Sequence, residues 1–467
     1  MEVYINVKNF GKISEARVNI SNFTIFVGNN NSGKTKLMEL IYTVIRRLST
    51  LSPDIELPQI EDMDAFYIGK KELREINEWV NAYLAAHIHE MIEEAFNVSV
   101  PMEEITLEFE CIESSYEIYF FTDQTLHYVL DQNHKCSEFI SRESLTGMIS
   151  NRERFYSSLI LKQNGEGTKE SIAGTQYSNN IPIEFARNIA IRNVLGEILG
   201  AKNMTSSNVL FLPASRMGLM LLYKRFFSNR SQDEEIVQRR ELKTVTEPVL
   251  DFLTFLLEYS YTERIAKKNE ELLQFISAHL IDGTITEQGD ATIYTPEGQT
   301  NGIPVFVASS MVNEVVPVMK ALTDFSDVDF LFYDEVETSM HPFKQTEMVK
   351  LLNRLNNKGI KLIVSTHSDT MATKINNLLL LSKGEYDFKT VQNLLGSHQI
   401  QIEKEDLLIS GNIHVYQFVN ISKDKSVVEE LQFQNMPCTG YDFSQFHDST
   451  MHLFEEAKVA MGIMDEN

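Results

Sequence analysis

The sequence holds 467 residues, 43% hydrophobic and 23% charged, an ordinary globular composition with length for one large domain carrying insertions, or for two domains. Its 42 Lys and Arg stand against 66 Asp and Glu, a formal charge of −24, which argues against a protein that coats DNA, because such binding rests on basic residues neutralising phosphates. Apolar runs such as "LDFLTFLLEY" and "DFLFYDE" are broken by acids well short of the roughly 18 residues of a membrane span, and "MEVYINVKNFG" lacks a signal-peptide layout. Three cysteines (Cys111, Cys136, Cys438) with no CxxC supply neither a disulfide framework nor a zinc site, and His134 beside Cys136 reads as a surface hairpin; the expectation is a reduced, cytoplasmic protein with no membrane contact.

In chain order, three short apolar blocks in the first 27 residues predict strands joined by turns at Asn9–Gly11 and Ser21–Asn22. A helix follows from Thr35 to Leu48, with Leu37, Leu40, Ile41, Val44 and Ile45 on one face. Residues 51–65 form a connection, 70–96 a helix, 100–165 strands, and the Gly/Ser/Asn-rich 165–185 a loop. "EFARNIAIRNVLGEILG" predicts a helix ending at Gly200, and "NVLFLPASRMG" a strand stopped by Pro213. Residues 215–281 read as largely helical. There "VLDFLTFLLEY" is apolar all round and expected to be buried, and pairs with the amphipathic "ERIAKKNEELLQFISAHLI" as a short antiparallel arm. The basic clusters "IRRL" (45–48) and "QRRELK" (238–243) read as solvated helix faces.

Chemistry concentrates at strand ends. "GNNNSGKT" places Gly28, Asn29, Asn30, Asn31, Ser32, Gly33, Lys34 and Thr35, followed by Lys36, between a strand and a helix in the GxxxxGK[ST] spacing. In such a loop backbone N–H groups cradle phosphates, Lys34 reaches the β/γ-phosphates and the Thr35 hydroxyl holds Mg²⁺. "VDFLFYDE" ends a strand in Asp334, suited to hold Mg²⁺ through its water shell, and Glu335, suited to polarise an attacking water. "IKLIVSTHS" is a second strand, and the helical "PFKQTEMVKLLNRLNNKG" between the two predicts a parallel crossover. That crossover sets Asp334, Glu335 and His367 on the P-loop's edge of the sheet, with His367 in reach of a γ-phosphate. Arg216, in "FLPASRMG", can reach phosphate or the attacking water, or can pair with an acid on the inserted helices; Glu337 and His341 read as polar turn residues. In "VASSMVNEVV", Ser309 or Ser310 caps a helix whose apolar face is Met311, Val312, Val315, Val316, Met319 and Leu322, with Pro317 bending it.

In this order the motifs resemble the ABC-type ATPase heads related to SMC, RecF and OLD proteins. More narrowly they are similar to the bacterial AAA_15/AAA_21 ATPases, which include OLD nucleases and the ATPase subunits of the PARIS and Septu antiphage systems. The matching segments are "NFGKI", "GNNNSGKT", "FLPASRMG", "ASSMVNEVVPVMKAL", "DEVETSMHP" and "STHSDTM", and the head segments span about half of the chain. The resemblance implies an α/β fold, an ABC/SMC-type P-loop ATPase head with a mixed sheet, an antiparallel β lobe and an inserted helical arm. The expected division is head with P-loop at 1–50, inserted helical and β lobe at 51–205, head strand and turn at 206–228, helical arm at 229–284, head with signature, Walker B and switch histidine at 285–400, and a C-terminal region at 401–467.

The resemblance further implies ATP and Mg²⁺ as cofactors, and hydrolysis of ATP to ADP and phosphate with Glu335, His367 and Arg216 as catalytic residues. It implies a homodimer or higher oligomer in which Ser309 or Ser310 of one subunit points at the γ-phosphate held by the other's Lys34. The function it suggests is a nucleotide-dependent sensor or scaffold in antiphage defence that controls a separate nuclease or toxin chain. A RecF/SMC-like DNA-repair ATPase with a local basic face is a second expectation, leaving direct nucleic-acid binding open. An ATP-gated module that hardly hydrolyses is a third, and Glu335 argues against it. Three departures stand out. Val336 replaces the family's usual Pro after the Walker B acids; Ser215–Arg216 occupies the place of a Q-loop glutamine; and "VYQFVNISKDKSVVEEL" lacks the acid cluster of a two-metal nuclease, so effector chemistry is expected from a partner.

Overall fold

Near-continuous apolar runs of four to six residues make the central parallel strands of a large mixed sheet, since strands covered on both faces have no polar side to show, while the strands toward one end of it alternate buried with exposed residues. The structure, a computed structural model, describes residues 2–58, 65–110, 115–121, 126–130, 136–141, 155–162, 168–175, 183–200, 208–228, 245–289, 291–324, 328–383, 387–434, 440–443 and 452–461. The chain divides into two compact units, residues 1–3, 47–86 and 107–205 in one and residues 4–46, 87–106 and 206–467 in the other.

Strands β1 (Glu2–Phe10), β2 (Ile13–Asn19) and β3 (Phe23–Gly28) open the chain, as the alternation predicts. In the first unit β4 (Ala65–Ile68), β6 (Ser115–Phe121), β9 (Phe155–Lys162) and β10 (Thr168–Thr175) form an antiparallel sheet in the order β10–β9–β6–β4. A separate two-stranded sheet pairs β7 (Leu126–Leu130) with β8 (Cys136–Ser141). β10 corrects the expected loop at 165–185: Thr168 to Thr175 pair residue by residue with Lys162 to Phe155. A strand with a partner for its backbone groups tolerates the small residues that read as a loop by composition. Helix Lys70–Phe96 matches its predicted range, with Leu73, Ile76, Val80 and Leu84 buried at helical spacing. Helix Ile183–Leu199 ends at Gly200, whose φ is 84°.

The large sheet has nine strands: β5 (Glu104–Glu110), β11 (Val209–Leu212), β15 (Phe330–Tyr333), β16 (Lys361–Thr366), β17 (Ile413–Asn420) and β18 (Ser426–Leu431) with β1, β2 and β3, ordered β11–β15–β16–β3–β17–β18–β2–β1–β5. From β11 to β17 all neighbours are parallel, while β17–β18 and β1–β2 are antiparallel. Side chains alternate across it. Phe211 and Phe332 pack edge-on against Tyr42 of helix Lys34–Leu48. Leu210, Leu212, Leu331, Tyr333, Val364 and Val27 enter the opposite core with helices Ser310–Ala321 and Pro342–Asn357. This is the α/β class with a mixed sheet and separate antiparallel strands that the sequence predicts. The C-terminal region, unassigned by sequence, supplies β17, which lies beside β3 in the centre of the sheet.

The helical arm is not built as expected. Helix Glu247–Glu258 and the segment Glu263–Leu280 place Phe252, Leu256, Leu272, Phe275, Ile276 and Leu280 in the same buried core as β3, β11, β15 and β16. "VLDFLTFLLEY" is also buried on one side rather than all round, since Leu257 is 48% exposed. The physical reason is that the sheet offers these apolar faces more area than two short helices offer each other. Residues 229–244, including the basic cluster Gln238–Lys243, lie outside the described residues, as does His134. Among the described residues no helix is long and apolar enough to cross a membrane.

The core position of Phe252, at 0% exposure, is tested by Phe252→Ala. Truncating a buried Phe costs about 3–5 kcal/mol, so the urea midpoint drops sharply; a free arm predicts a change under about 1 kcal/mol.

Candidate active site

β3 ends at Gly28, and the turn that follows needs backbone that L side chains rarely adopt. Gly28 has φ 134° and Gly33 φ 101°, and Asn31 takes φ 57°. A Cβ on Gly28 would come within 2.5 Å of the Phe418 carbonyl, so β17 leaves room for glycine only. The first helical bond runs from the Leu37 N–H to the Gly33 carbonyl at 2.9 Å. The amides of Lys34, Thr35 and Lys36 thus precede the helical ladder and present the positive end of a helix. Two outside groups brace the loop: Ser426 Oγ donates to the Ser32 carbonyl at 2.8 Å, and Lys12 Nζ to the Asn31 carbonyl at 2.8 Å. Asn29, Asn30 and Asn31 form its exposed crown.

The Lys34 ammonium, on a residue only 5% exposed, donates to the carbonyls of Gly28 (3.0 Å) and Asn29 (2.8 Å) and lies 3.4 Å from Ser32 Oγ. Burial pulls its pKa from an ordinary 10.5 down to about 8, against the opposing charges of Asp334, Glu335 and Glu337. Lys36 contributes only its backbone, because its ammonium pairs with Glu39 at 2.6 Å and lies 5.0 Å from the Phe96 ring centre.

The parallel neighbours β15, β16 and β3 bring the acids to this loop. Thr35 Oγ1 donates to Asp334 Oδ2 at 2.8 Å, and Ser365 Oγ donates to Asp334 Oδ1 at 2.5 Å. Ser365 Oγ also accepts the Glu335 N–H at 2.8 Å, so one hydroxyl holds the Asp334 carboxylate and the Glu335 backbone. Glu335 sits at φ 46°, a strained setting for a side chain other than glycine. The His367 N–H donates to Glu337 Oε1 at 2.6 Å, which makes Glu337 a supporting group rather than a plain turn residue. Burial, aided by the Lys34 charge, lowers the His367 pKa, against Glu337, Asp334 and a ring hydrogen bond to the Gly28 backbone. The ring is therefore neutral at pH 7. Sequence reading missed the role of Ser365; its one trace is a hydroxyl directly after the apolar run Leu362–Val364, two positions before His367.

Arg216 corrects an expectation. It is fully buried, and its Nε pairs with Glu314 Oε2 at 2.8 Å. Nη1 donates to the carbonyls of Pro213 (2.8 Å) and Asp334 (2.6 Å), Nη2 donates to the Glu335 carbonyl (3.2 Å), and the guanidinium lies 4.5 Å from the Tyr333 ring centre. A guanidinium so enclosed cannot touch water or phosphate, so Arg216 is a positioning residue rather than a catalytic one. Its acid is Glu314 of helix Ser310–Ala321 and not one from the inserted helices. Val336 has a similar explanation: its N–H donates to the Ser365 carbonyl at 3.2 Å, a bond that proline cannot make.

Ser309 is the N-cap of helix Ser310–Ala321, accepting the Val312 N–H at 3.4 Å. Ser309 and Ser310 are exposed, next to Phe306 (63%) and Val307 (60%). Pro317 lies inside this helix, as anticipated.

The donor set fits Mg²⁺ and a nucleotide. A hydroxyl and a carboxylate oxygen 2.8 Å apart are hard donors for Mg²⁺, which prefers one or two protein oxygens together with substrate phosphates. Bound there, Mg²⁺ neutralises charge on the β- and γ-phosphates. Thr35 and Asp334 would hold it, with Lys34 and the loop amides at the phosphates.

Two outcomes follow. Lys34 carries its charge at pH 7 and loses it as pH climbs through about 8, so nucleotide affinity falls above pH 8 by up to tenfold per unit. Lys34→Arg, charged throughout, lacks that break. Between about 8 and 10.5 the unfolded chain binds more protons than the folded one, so folding stability from this group rises over that window. A flat wild-type binding profile from pH 7 to 9.5 contradicts the buried ammonium. Ser365→Ala frees Asp334 Oδ1 and should raise the Mg²⁺ needed for half-maximal turnover by about tenfold; an unchanged Mg²⁺ titration removes Ser365 from the site.

The chain is 22% identical over 410 residues to the Retron Vc95 probable ATPase of Vibrio cholerae serotype O1 biovar El Tor, covering 82% of this chain and 74% of that protein. Among solved structures it overlaps an SMC head bound to the C-winged helix domain of ScpA, at 11% identity and TM-score 0.36 over 92% of this chain and 97% of that one. It also overlaps the SMC head domain from Thermotoga maritima, at 12% identity and TM-score 0.32 over 92% and 100%. Residues 1–278 match the model of the AAA ATPase domain AAA_15, more than half of the sequence, and the chain belongs to that family.

Proposed function

We propose that the protein binds and hydrolyses ATP with Mg²⁺ and uses the nucleotide cycle to control a separate effector chain in antiphage defence. The observation that carries the nucleotide half is the hydroxyl–carboxylate cluster of Thr35, Asp334 and Ser365 beside the buried ammonium of Lys34. Lys34 and the loop amides hold the β- and γ-phosphates. Glu335, fixed by Ser365 and partly exposed, accepts the proton of the water whose oxygen attacks the γ-phosphorus, and the bond to the ADP oxygen breaks. His367 exchanges its bond to the Gly28 backbone for the γ-phosphate.

The exposed serines at the start of helix Ser310–Ala321 support a composite site in a homodimer, each subunit capping the nucleotide of the other. The likeness to a retron ATPase supports the defence role; the cytoplasm as its place and a nuclease or toxin as its partner belong to the same proposal.

Glu335→Gln is the test. It keeps ATP affinity, lowers turnover by about 10²-fold or more, and shifts the chain to its larger oligomer in ATP, whereas Lys34→Ala binds no nucleotide. Wild-type turnover in Glu335→Gln sinks the catalytic assignment. Co-purification of the same variant with ATP from the native host recovers a nuclease-like or toxin-like chain; duplex DNA with recombination proteins in its place returns the function to repair.

A further inference from the structure

Strands β12 (Gly283–Gln288), β13 (Ala291–Pro296) and β14 (Ile303–Pro304) form a small sheet just before the Ser309 cap, with β12 at its edge. The register fixes the direction in which its backbone points. Glu297 donates its N–H to the Asp282 carbonyl at 2.8 Å, and the pairing continues as Gly283↔Pro296, Thr284↔Thr295, Ile285↔Tyr294, Thr286↔Ile293 and Glu287↔Thr292. Bonded and non-bonded pairs alternate along an antiparallel ladder. Asp282, Thr284 and Thr286 therefore turn their amides and carbonyls to β13, while Gly283, Ile285 and Glu287 turn theirs away. Pro296 opposite Gly283 confirms the phase, because a proline has no N–H to give at a bonded position. Among the described residues no strand pairs with that outer edge.

The edge opens on a cleft of about 940 Å³, and five consecutive residues, Gly283 to Glu287, line it. A sheet face presents alternate residues, so a consecutive run marks a strand edge. Lys320 and Thr323, at the C-terminal end of helix Ser310–Ala321, form part of the lining. Charge in the cleft is negative. Lys320 is held by Glu287 at 2.6 Å and lies 3.9 Å from the Tyr259 ring centre, whereas the exposed Glu270 accepts from the neutral Gln274 amide and Glu297 is exposed on the rim.

We propose that this cleft docks an extended, basic segment of a partner polypeptide, which adds to β12 as a further strand. Main-chain bonds to the outward amides of Ile285 and Glu287 supply affinity and alternate side chains supply register. Lys or Arg of the segment meets Glu270 and Glu297. The docked strand rests on Lys320, on the helix that Ser309 caps, so partner and nucleotide act on one rigid element. The inference deepens the partner half of the reading above and rests on it only for the identity of the partner as the effector; the edge geometry stands without nucleotide chemistry.

The probe is a library of random ten-residue peptides displayed on phage and selected against the full chain. Enriched peptides are expected to interleave Lys or Arg with β-branched or aromatic residues and to slow amide exchange at Ile285 and Glu287. The Glu270→Lys/Glu297→Lys variant, altered only at exposed rim positions, binds them about fivefold more weakly. N-methylating alternate residues along the pairing edge of the peptide weakens binding about tenfold or more. No enrichment, protection elsewhere, indifference to N-methylation or equal binding by the rim variant overturns the docking site, including the case of a compact ligand that only fills the cleft. ATP turnover of the rim variant is measured alongside, so failure of the docking site and failure of the ATPase reading are seen separately.

Discussion

A guanidinium shut off from solvent must find every partner inside the fold, and the ion pair between Arg216 and Glu314 is the constraint around which the site is arranged. Burying two charges costs several kcal/mol each, repaid only when the geometry is good and further hydrogen bonds take up the remaining donors. The two terminal nitrogens of Arg216 donate to the carbonyls of Pro213, Asp334 and Glu335, which offsets part of that cost, and Nε faces Glu314 as an ion pair. These contacts hold the turn after β15 in place, and with it the positive φ of Glu335. They also tie that turn to helix Ser310–Ala321, little more than a turn from its Ser309 cap. One side chain joins the acids of the chain's own nucleotide loop to the helix that faces outward.

Ser365 adds a second layer of the same kind. Its hydroxyl donates to the carboxylate of one acid and accepts from the backbone of the next, so a residue with no charge orients Asp334 and anchors the main chain at Glu335. The Val336 amide closes onto the carbonyl of the same residue. The turn is thus held to β16 from three atoms. A proline after the acids, usual in the resembling family, would give up one of the three.

Much of this was legible in the sequence where the signal is local. Gly28 to Thr35 reads as a phosphate loop because its spacing and its flanking strand and helix lie within some twenty residues. Asp334 and His367 read as neighbours because an apolar strand, a helix and an apolar strand admit one crossover. What stayed hidden depends on partners far away in the chain. An apolar helix such as Glu247–Glu258 carries no mark of whether it buries itself against a sheet or another helix. A serine inside an apolar strand does not say which face it takes. Arg216 left both a phosphate and an acid open, and only the position of Glu314, 98 residues on, decides between them. The Gly- and Ser-containing stretch from Thr168 to Thr175 becomes a strand because β9 offers it a ladder.

The place of β3 in the sheet has a consequence for how the protein is made. The phosphate loop begins at residue 28, yet its strand lies between β16 and β17, which are synthesised more than 330 and 380 residues later. Contacts so distant in sequence close late, since the loops that join them must be ordered first. A nascent or truncated chain lacking residues 413–420 has its P-loop motif but not the wall against which Gly28 is fitted. The wall of the phosphate loop is thereby completed only once residue 420 has been made, and products that stop before residue 413 lack it.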